Sequence, residues 1–152
     1  DMPPTLASLT EAVDDAAGRY TRLVLLVGCK GAGKTTLLKA YAQATNSPYI
    51  PVGAPMAERL LATPPRFRDT EADKLLKGLC QGDGPFLLDN IEMLFNPELQ
   101  LDPYRLLVGL ARTRTIVAAW AGSLENGLLT YAAPGHQEYR ALHPTDAVCI
   151  QL

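Results

Sequence analysis

The stretch GCKGAGKTT at Gly28–Thr36 combines residue types that bind phosphate groups. It fits the pattern G-x-x-x-x-G-K-[S/T], in which glycines let backbone N–H groups converge on phosphate oxygens. Lys34 adds a mobile positive charge for the β- and γ-phosphates, and the Thr35 hydroxyl is a ligand for Mg²⁺. The stretch, called the phosphate loop below, therefore predicts binding of ATP or ADP with Mg²⁺. The residues expected to bind the nucleotide are Gly28, Cys29, Lys30, Gly31, Ala32, Gly33, Lys34, Thr35 and Thr36.

A second candidate for chemistry is Asp89, which ends the apolar run FLLD. Nucleotide sites of this kind need an acidic residue at the end of a neighbouring strand, where it holds the metal ion through water. No other apolar run of the chain ends in a carboxylate. Thr35 and Asp89 are therefore the predicted metal site.

Hydrolysis also needs a group that orients or deprotonates the attacking water. The residue after Asp89 is Asn90, which can orient water by hydrogen bonding but cannot accept a proton. If the chain turns helical after Asp89, Glu92 lies on the same side of it as Asp89. Glu92 is equally well explained as an exposed carboxylate at a helix start. The candidate catalytic residues are therefore Lys34, Asn90 and Glu92. We expect hydrolysis that is slow or dependent on a partner.

Polar residues further along the chain are candidates for contacting the γ-phosphate. Ser123 and Asn126 follow the fourth apolar run and are candidate sensors of that phosphate. Arg112 and Arg114 precede the same run, at its far end from the phosphates. They can act as an arginine finger only across a subunit interface, and Arg140 is a third candidate for that role.

Two other classes of nucleotide-binding protein were considered. A GTPase needs a guanine-reading N-K-x-D motif, and the sequence has none. A small-molecule kinase usually has an arginine-rich lid, for which the segment TPPRFRD at 63–69 is a candidate, so this class stays an alternative.

The three cysteines are far apart and lack the spacing of a zinc site. Few, unpaired cysteines are typical of a reduced intracellular protein.

The elements that must position these residues follow from the apolar pattern. Leu6, Leu9, Val13 and Ala16 recur at helical spacing, with Thr5 as a cap and Gly18 as the end. Continuous apolar runs predict buried parallel strands at 23–27, 49–52, 86–88, 115–120 and 147–152. Helices are predicted at 35–45, 56–62, 70–80 and 103–111. This alternation predicts an α/β fold with a five-stranded, mostly parallel sheet.

The domain organisation expected from this pattern is simple. Residues 1–152 form a single domain, with an N-terminal helix within 1–20 and a loop-rich segment at 122–146 before the last strand. The net charge of −2 argues against a domain whose main function is to bind nucleic acid. The first residues lack the basic start and apolar stretch of a signal peptide, and no run is long enough to cross a bilayer. We therefore expect a cytoplasmic protein that does not enter the membrane.

Longer stretches resemble one family. The segments RLVLLVGCKGAGKTTLL, LLDNIEMLF and, at 120–139, a W-x-G…L-x-Y-x-x-P-G-H-x-E-Y pattern are similar to BrxF, the small P-loop proteins of type 3 BREX phage-defence systems. The resemblance covers nearly the whole chain. It implies a bacterial, cytoplasmic, ATP-binding component of a multiprotein system that methylates host DNA and blocks phage replication.

The resemblance also implies a particular fold. This is the three-layer P-loop NTPase fold of the additional-strand class, with strand order 5-1-4-3-2. In a chain of this length we expect no lid domain after the sheet. Gly28, Gly33, Lys34, Thr35 and Asp89 match the pattern of the class. Asn90 stands where many such ATPases have glutamate, which is why autonomous turnover is in question.

Two functions and one outsider remain open at this point. In the first, the chain is an ATPase that drives or times assembly of the defence complex and can act as an oligomer with shared sites. In the second, it is a module whose shape or partner affinity depends on bound nucleotide and which hydrolyses little of it. The small-molecule kinase is the outsider. The expected partners are other BREX proteins, and direct DNA contact is left open. The stretch Tyr131–Tyr139 is a candidate for covering the nucleotide, recognising its base or docking a partner.

Overall fold

A computed structural model describes residues 5–152 of the chain. Within these residues the helices are α1 (Leu6–Ala17), α2 (Lys34–Thr45), α3 (Gly53–Leu61), α4 (Arg68–Leu79) and α5 (Pro103–Leu110). The strands are β1 (Leu23–Gly28), β2 (Tyr49–Pro51), β3 (Phe86–Asp89), β4 (Ile116–Glu125), β5 (Leu128–Tyr131), β6 (Arg140–Leu142) and β7 (Ala147–Gln151). Short 3₁₀ turns lie at Pro65–Phe67, Glu92–Phe95 and Pro97–Leu99.

Five strands form a parallel sheet in the order β2-β3-β4-β1-β7. The predicted α/β class with a mostly parallel sheet is confirmed. The carboxyl ends of β1, β3 and β4 lie along one edge of this sheet, where Gly28, Asp89 and Ala121 are found. Ligands of open α/β sheets bind outside this edge, so these three positions mark a candidate binding site.

Helices cover both faces of the parallel sheet. The side chains of β1 alternate, so that Leu23 and Leu25 belong to the apolar cluster under α3, α4 and α5, and Val24 and Leu26 to the cluster under α1 and α2. All of these side chains are fully buried, which explains why the strand reads as a continuous apolar run rather than an alternating one. The result is three layers, with the sheet between two layers of helices.

Helix α1 forms where its apolar spacing predicts. The Thr5 hydroxyl accepts a hydrogen bond from the Ser8 backbone N–H at 3.3 Å, and Gly18 follows the last turn. The buried positions Leu9, Val13 and Ala16 place one stripe of the helix on the sheet. Residues 1–4 of the predicted N-terminal segment 1–20 lie outside the described residues.

The segment 122–146, predicted to be rich in loops, also contains the end of one strand and two further strands. Strand β4 continues to Glu125, beyond the predicted end at Trp120, and then pairs antiparallel with β5, which in turn pairs with β6. The sheet therefore has two strands more than the five predicted. The element formed by β5, β6 and their connection, residues 128–142, is called the hairpin below.

The hairpin packs on the rest of the domain through an aromatic cluster. The ring of Tyr131 stacks on that of Phe95 with 3.6 Å between centroids, and Trp120 meets Phe95 edge-on at 5.2 Å. The Trp120 indole N–H donates to the Thr130 carbonyl oxygen at 3.0 Å. Phe95 ends the 3₁₀ turn that begins at Glu92, so the hairpin is in contact with the segment that follows β3.

Along residues 5–152, no helix is both long and apolar enough to cross a membrane.

Candidate functional site

The phosphate loop connects β1 directly to α2. Gly33 caps α2 with a φ of 102°, a left-handed conformation that glycine adopts without strain. The chain can thus turn from the strand into the helix within a few residues. The first turn of α2 then presents its free N–H groups and the positive end of the helix dipole at the carboxyl edge of the sheet.

A cleft of about 570 Å³ lies against this turn. It brings together three parts of the chain: the phosphate loop, the end of β3 and the end of the parallel section of β4. The residues lining it are Lys30, Gly31, Gly33, Lys34, Thr35, Thr36, Asp89, Asn90, Glu92 and Ala121. Of the other predicted loop residues, Gly28 and Ala32 shape the turn, and Cys29 is exposed.

Lys34 is buried and folds back over the loop. Its ammonium group donates to the backbone carbonyl oxygens of Gly28 at 2.6 Å and Cys29 at 2.9 Å. An ammonium group has three donors, so these two bonds leave one for a ligand in the cleft. Lys34 therefore holds the loop in shape and also presents a positive charge to the cleft.

The Asp89 carboxylate is buried and held by hydrogen bonds at both oxygens. Its Oδ2 accepts from the Thr35 hydroxyl at 2.6 Å, and its Oδ1 accepts from the Asn90 backbone N–H at 2.9 Å. Hydrogen bonds of this kind offset the cost of removing a charged group from water. The structure thus joins the two predicted metal ligands, which are 54 positions apart in sequence.

A third donor to Asp89 was not anticipated from the sequence. The Tyr49 hydroxyl, from β2, donates to Asp89 Oδ2 at 2.7 Å. Burial, with the hydrogen bond to Asp89 and its negative charge, raises the pKa of Tyr49 to about 12, so the phenol keeps its proton at neutral pH. The implied strand order, in which the second strand neighbours the third, was the one signal that could have drawn attention to Tyr49.

Asn90 has a left-handed backbone, with a φ of 55°. Asparagine tolerates this conformation better than glutamate does, because its short polar side chain can bond to nearby backbone. This backbone conformation therefore suits the asparagine at this position. The first acidic residue after Asp89 is Glu92, which begins the following 3₁₀ turn.

Glu92 lines the cleft and is exposed. Partial shielding of its carboxyl group by the protein raises the pKa of Glu92 above its ordinary value, and the charge of Asp89 raises it further, whereas Lys34 lowers it. Exposure of the residue limits this shift. A carboxylate that shares a cleft with Lys34 and Asp89 is suited to accept a proton from a water molecule near the phosphates.

The donors at Thr35 and Asp89 fit Mg²⁺ in type, because both are oxygen atoms and one is charged. Among residues 5–152 no group of three or more histidine, cysteine, aspartate or glutamate side chains is arranged to hold a metal ion. Mg²⁺ is commonly bound by one or two protein ligands together with nucleotide phosphates and water.

Two candidate sensors lie elsewhere. Ser123 and Asn126 line a second cleft of about 440 Å³ beside the hairpin, and the Ser123 hydroxyl is within 2.9 Å of that of Thr130. Because β4 continues past the parallel sheet, Ser123 lies in this strand and Asn126 in the turn between β4 and β5. Neither residue lies in a loop over the first cleft. Ala121 is the β4 residue that lines the first cleft.

The candidate arginines are engaged with other parts of the chain. Arg114 donates to the Cys80 carbonyl oxygen at 2.7 Å, and Arg112 lies over the Tyr20 ring at 4.9 Å, near the amino ends of β1 and β4. Arg140 donates to the carbonyl oxygens of Glu138 and Tyr139.

One of the two arginines in the segment considered as a kinase lid, 63–69, is bound in a similar way. Arg68 donates to the carbonyl oxygens of Leu60 and Thr63 at 2.9 and 3.0 Å, and to that of Glu98. These bonds tie the start of α4 to neighbouring segments, which gives Arg68 a structural role.

Comparison with known proteins adds no relative: no protein-family model matches the chain, and no curated protein is significantly similar to it.

Proposed function

We propose that this chain is a P-loop NTPase that binds ATP with Mg²⁺ in the cleft between the phosphate loop and Asp89. The observation that carries the proposal is the hydrogen bond of 2.6 Å between Thr35 and Asp89. The hydroxyl at the start of α2 and the carboxylate at the end of β3 are the two side chains that such sites use around the metal. Lys34, one residue earlier, adds the positive charge for the phosphates.

The order of the strands supports the additional-strand class. Numbered along the chain, the five parallel strands read 5-1-4-3-2, since β7 is the fifth of them. Strand β4 then separates β1, which carries the phosphate loop, from β3, which carries Asp89. This is the order that the resemblance to BrxF implies.

Hydrolysis is the second part of the proposal, and we infer that it is slow or depends on a partner. Mg²⁺ held by Thr35 and Asp89 would neutralise phosphate charge. Lys34 orients the phosphates and Asn90 hydrogen-bonds the attacking water. Glu92 accepts the water's proton as the water oxygen bonds to the γ-phosphorus and the bond to the leaving diphosphate breaks. The alternative is a nucleotide-dependent binding or assembly module with little turnover, which the exposed position of Glu92 in the cleft favours.

The biological setting rests on the sequence resemblance alone. We propose that the chain is a cytoplasmic component of a type 3 BREX defence complex and that other proteins of that complex are its partners. Co-purification of these proteins with the wild-type chain and with Lys34→Ala, with and without ATP, tests this setting. Binding that ignores both the nucleotide and the substitution contradicts a nucleotide-dependent role.

Calorimetric titration of ATP with Mg²⁺ tests nucleotide binding. Lys34→Ala should abolish it, because the substitution removes the charge and two bonds that shape the loop. Lys74→Ala, an exposed lysine on α4, is the matched control and should bind as the wild type does. If the wild-type chain binds neither ATP nor ADP, the proposed function is wrong.

Phosphate release, measured alone, with DNA and with partner proteins, tests hydrolysis. Glu92→Gln should keep ATP binding and lose release, whereas Glu98→Gln, a nearby exposed carboxylate, should keep both. Tight binding with no release in any mixture favours the assembly module, and phosphate transfer to a metabolite favours the kinase.

A further inference from the structure

The Tyr49 hydroxyl is an unexpected neighbour of the predicted metal ligand. It donates to the same carboxylate oxygen, Asp89 Oδ2, that accepts from Thr35, at 2.7 and 2.6 Å. The other oxygen accepts from the Asn90 backbone N–H. Three donors from three segments of the chain thus fix one buried carboxylate, and Tyr49 is the only one of the three outside the sequence motifs.

The strand pairing explains why Tyr49 can reach this position. β2 and β3 are parallel neighbours, with Tyr49 opposite Leu87 and two residues ahead of the position opposite Asp89. Leu87 and Tyr49 both pack in the apolar cluster under α1 and α2, and alternation along β3 directs Asp89 to the same face. The tyrosine ring therefore runs along the face of the sheet toward the start of α2.

The ring of Tyr49 is also held in place. Lys39 from α2 lies over it, with the ammonium nitrogen 5.4 Å from the ring centroid. A phenol has one O–H donor on a rigid ring, so a fixed ring gives a fixed donor. The Thr35 hydroxyl, by contrast, has to offer an oxygen lone pair to the metal while it donates to Asp89. Tyr49 can hold the carboxylate without taking part in metal ligation.

We propose that Tyr49 is a positioning residue for the metal site, whose hydroxyl holds the Asp89 carboxylate beside Thr35 so that the cleft favours the metal-bound nucleotide over the free one. The proposal rests on the proposed function. Hydrogen-bond partners of metal ligands typically contribute a factor of about 10–100 to metal affinity. Loss of the hydroxyl should therefore weaken the metal-dependent part of ATP binding by a factor in that range and leave the metal-independent part unchanged.

The test is calorimetric titration of ATP into wild-type protein and Tyr49→Phe, at a series of Mg²⁺ concentrations and with the metal chelated. Tyr49→Phe should need about 10–100 times more Mg²⁺ for half-maximal enhancement of binding, with equal affinity for ATP in chelator. The matched control is Tyr104→Phe, which removes a buried hydroxyl from a different carboxylate, Asp146, away from the cleft. Its Mg²⁺ dependence should equal that of the wild type.

A second measurement separates positioning from a general structural role. In an Asp89→Asn background, Tyr49→Phe should have no further effect on the Mg²⁺ dependence, because the hydroxyl acts through the carboxylate. An unchanged Mg²⁺ dependence in Tyr49→Phe, or an equal loss of affinity with and without the metal, overturns the inference and leaves the proposed function standing. Wild-type protein that fails to bind ATP, or binds it without regard to Mg²⁺, overturns both.

Discussion

The contact between the hairpin and the turn after β3 can be tested by removing one ring. Phe95 is 1% exposed, lies 3.6 Å from the stacked ring of Tyr131 and meets Trp120 edge-on. Phe95→Ala leaves a cavity between the parallel sheet and the hairpin. Substitutions of this kind cost about 3–5 kcal/mol of unfolding free energy, and the lost aromatic pairs place this one toward the upper end.

This loss is large for a domain of this size. A domain of about 150 residues loses roughly 2–4 °C of melting temperature per kcal/mol, so Phe95→Ala should melt roughly 6–20 °C below the wild type. Thermal unfolding followed by circular dichroism measures the shift. Phe95→Leu, which keeps most of the apolar volume, should lose less than about half as much.

Phe67→Ala provides the matched control, because this ring is 51% exposed in the turn between α3 and α4. Its cost should stay within about 0.5 kcal/mol, as for most surface substitutions. If Phe95→Ala costs less than about 1 kcal/mol, or no more than Phe67→Ala, then the hairpin does not pack on this turn as described. The reasoning on the aromatic cluster would then be refuted.

Three further predictions concern single positions. Gly122→Ala should destabilise the protein by about 3 kcal/mol or more, because a Cβ at this position meets the backbone of β5. Its control, Gly109→Ala, lies at an open position of α5 and should leave the melting temperature unchanged or raise it. The rate of phosphate release should fall as the pH is lowered, because Glu92 must be ionised to act as the base. The fall should begin at a higher pH than for an ordinary glutamate, because the pKa of Glu92 is raised. A rate that stays constant through this range argues against Glu92 as the base. Arg114→Ala should cost about 1 kcal/mol of stability, through loss of its bond to a backbone carbonyl, with ATP binding unchanged. Normal stability with lost phosphate release would instead favour the arginine-finger hypothesis.

Local patterns predicted the parts of the molecule that depend on neighbouring residues. The phosphate loop is contiguous, and the turn that its glycines allow between β1 and α2 could be predicted from residue type alone. Helix α1 was predicted to within a residue at each end, because Thr5 and Gly18 mark its boundaries. The apolar runs of β1 and β3 were recognisable because both faces of each strand are covered.

The hairpin was missed although a signal for it was present. Asn126 and Gly127, with φ values of 52° and 78°, form the turn that leads from β4 into the hairpin, and Asn-Gly is a strong turn pair between antiparallel strands. The strands are short and half-exposed, so the apolar pattern was weak. No local pattern could predict the hydrogen bond from Tyr49 to Asp89, because it depends on the register between β2 and β3, which two helices separate in sequence.

The aromatic cluster has an optical consequence. Trp120 is the one tryptophan in the sequence, and it is fully buried, with its ring edge-on to Phe95 at 5.2 Å. Phe95 closes the turn that Glu92 opens, and Ala121, next to Trp120, lines the cleft. Any shift of this turn or of the end of β4 changes the surroundings of a single indole. Trp120 is thus a built-in fluorophore where the cleft meets the hairpin, and its emission should report movement of either one without a label.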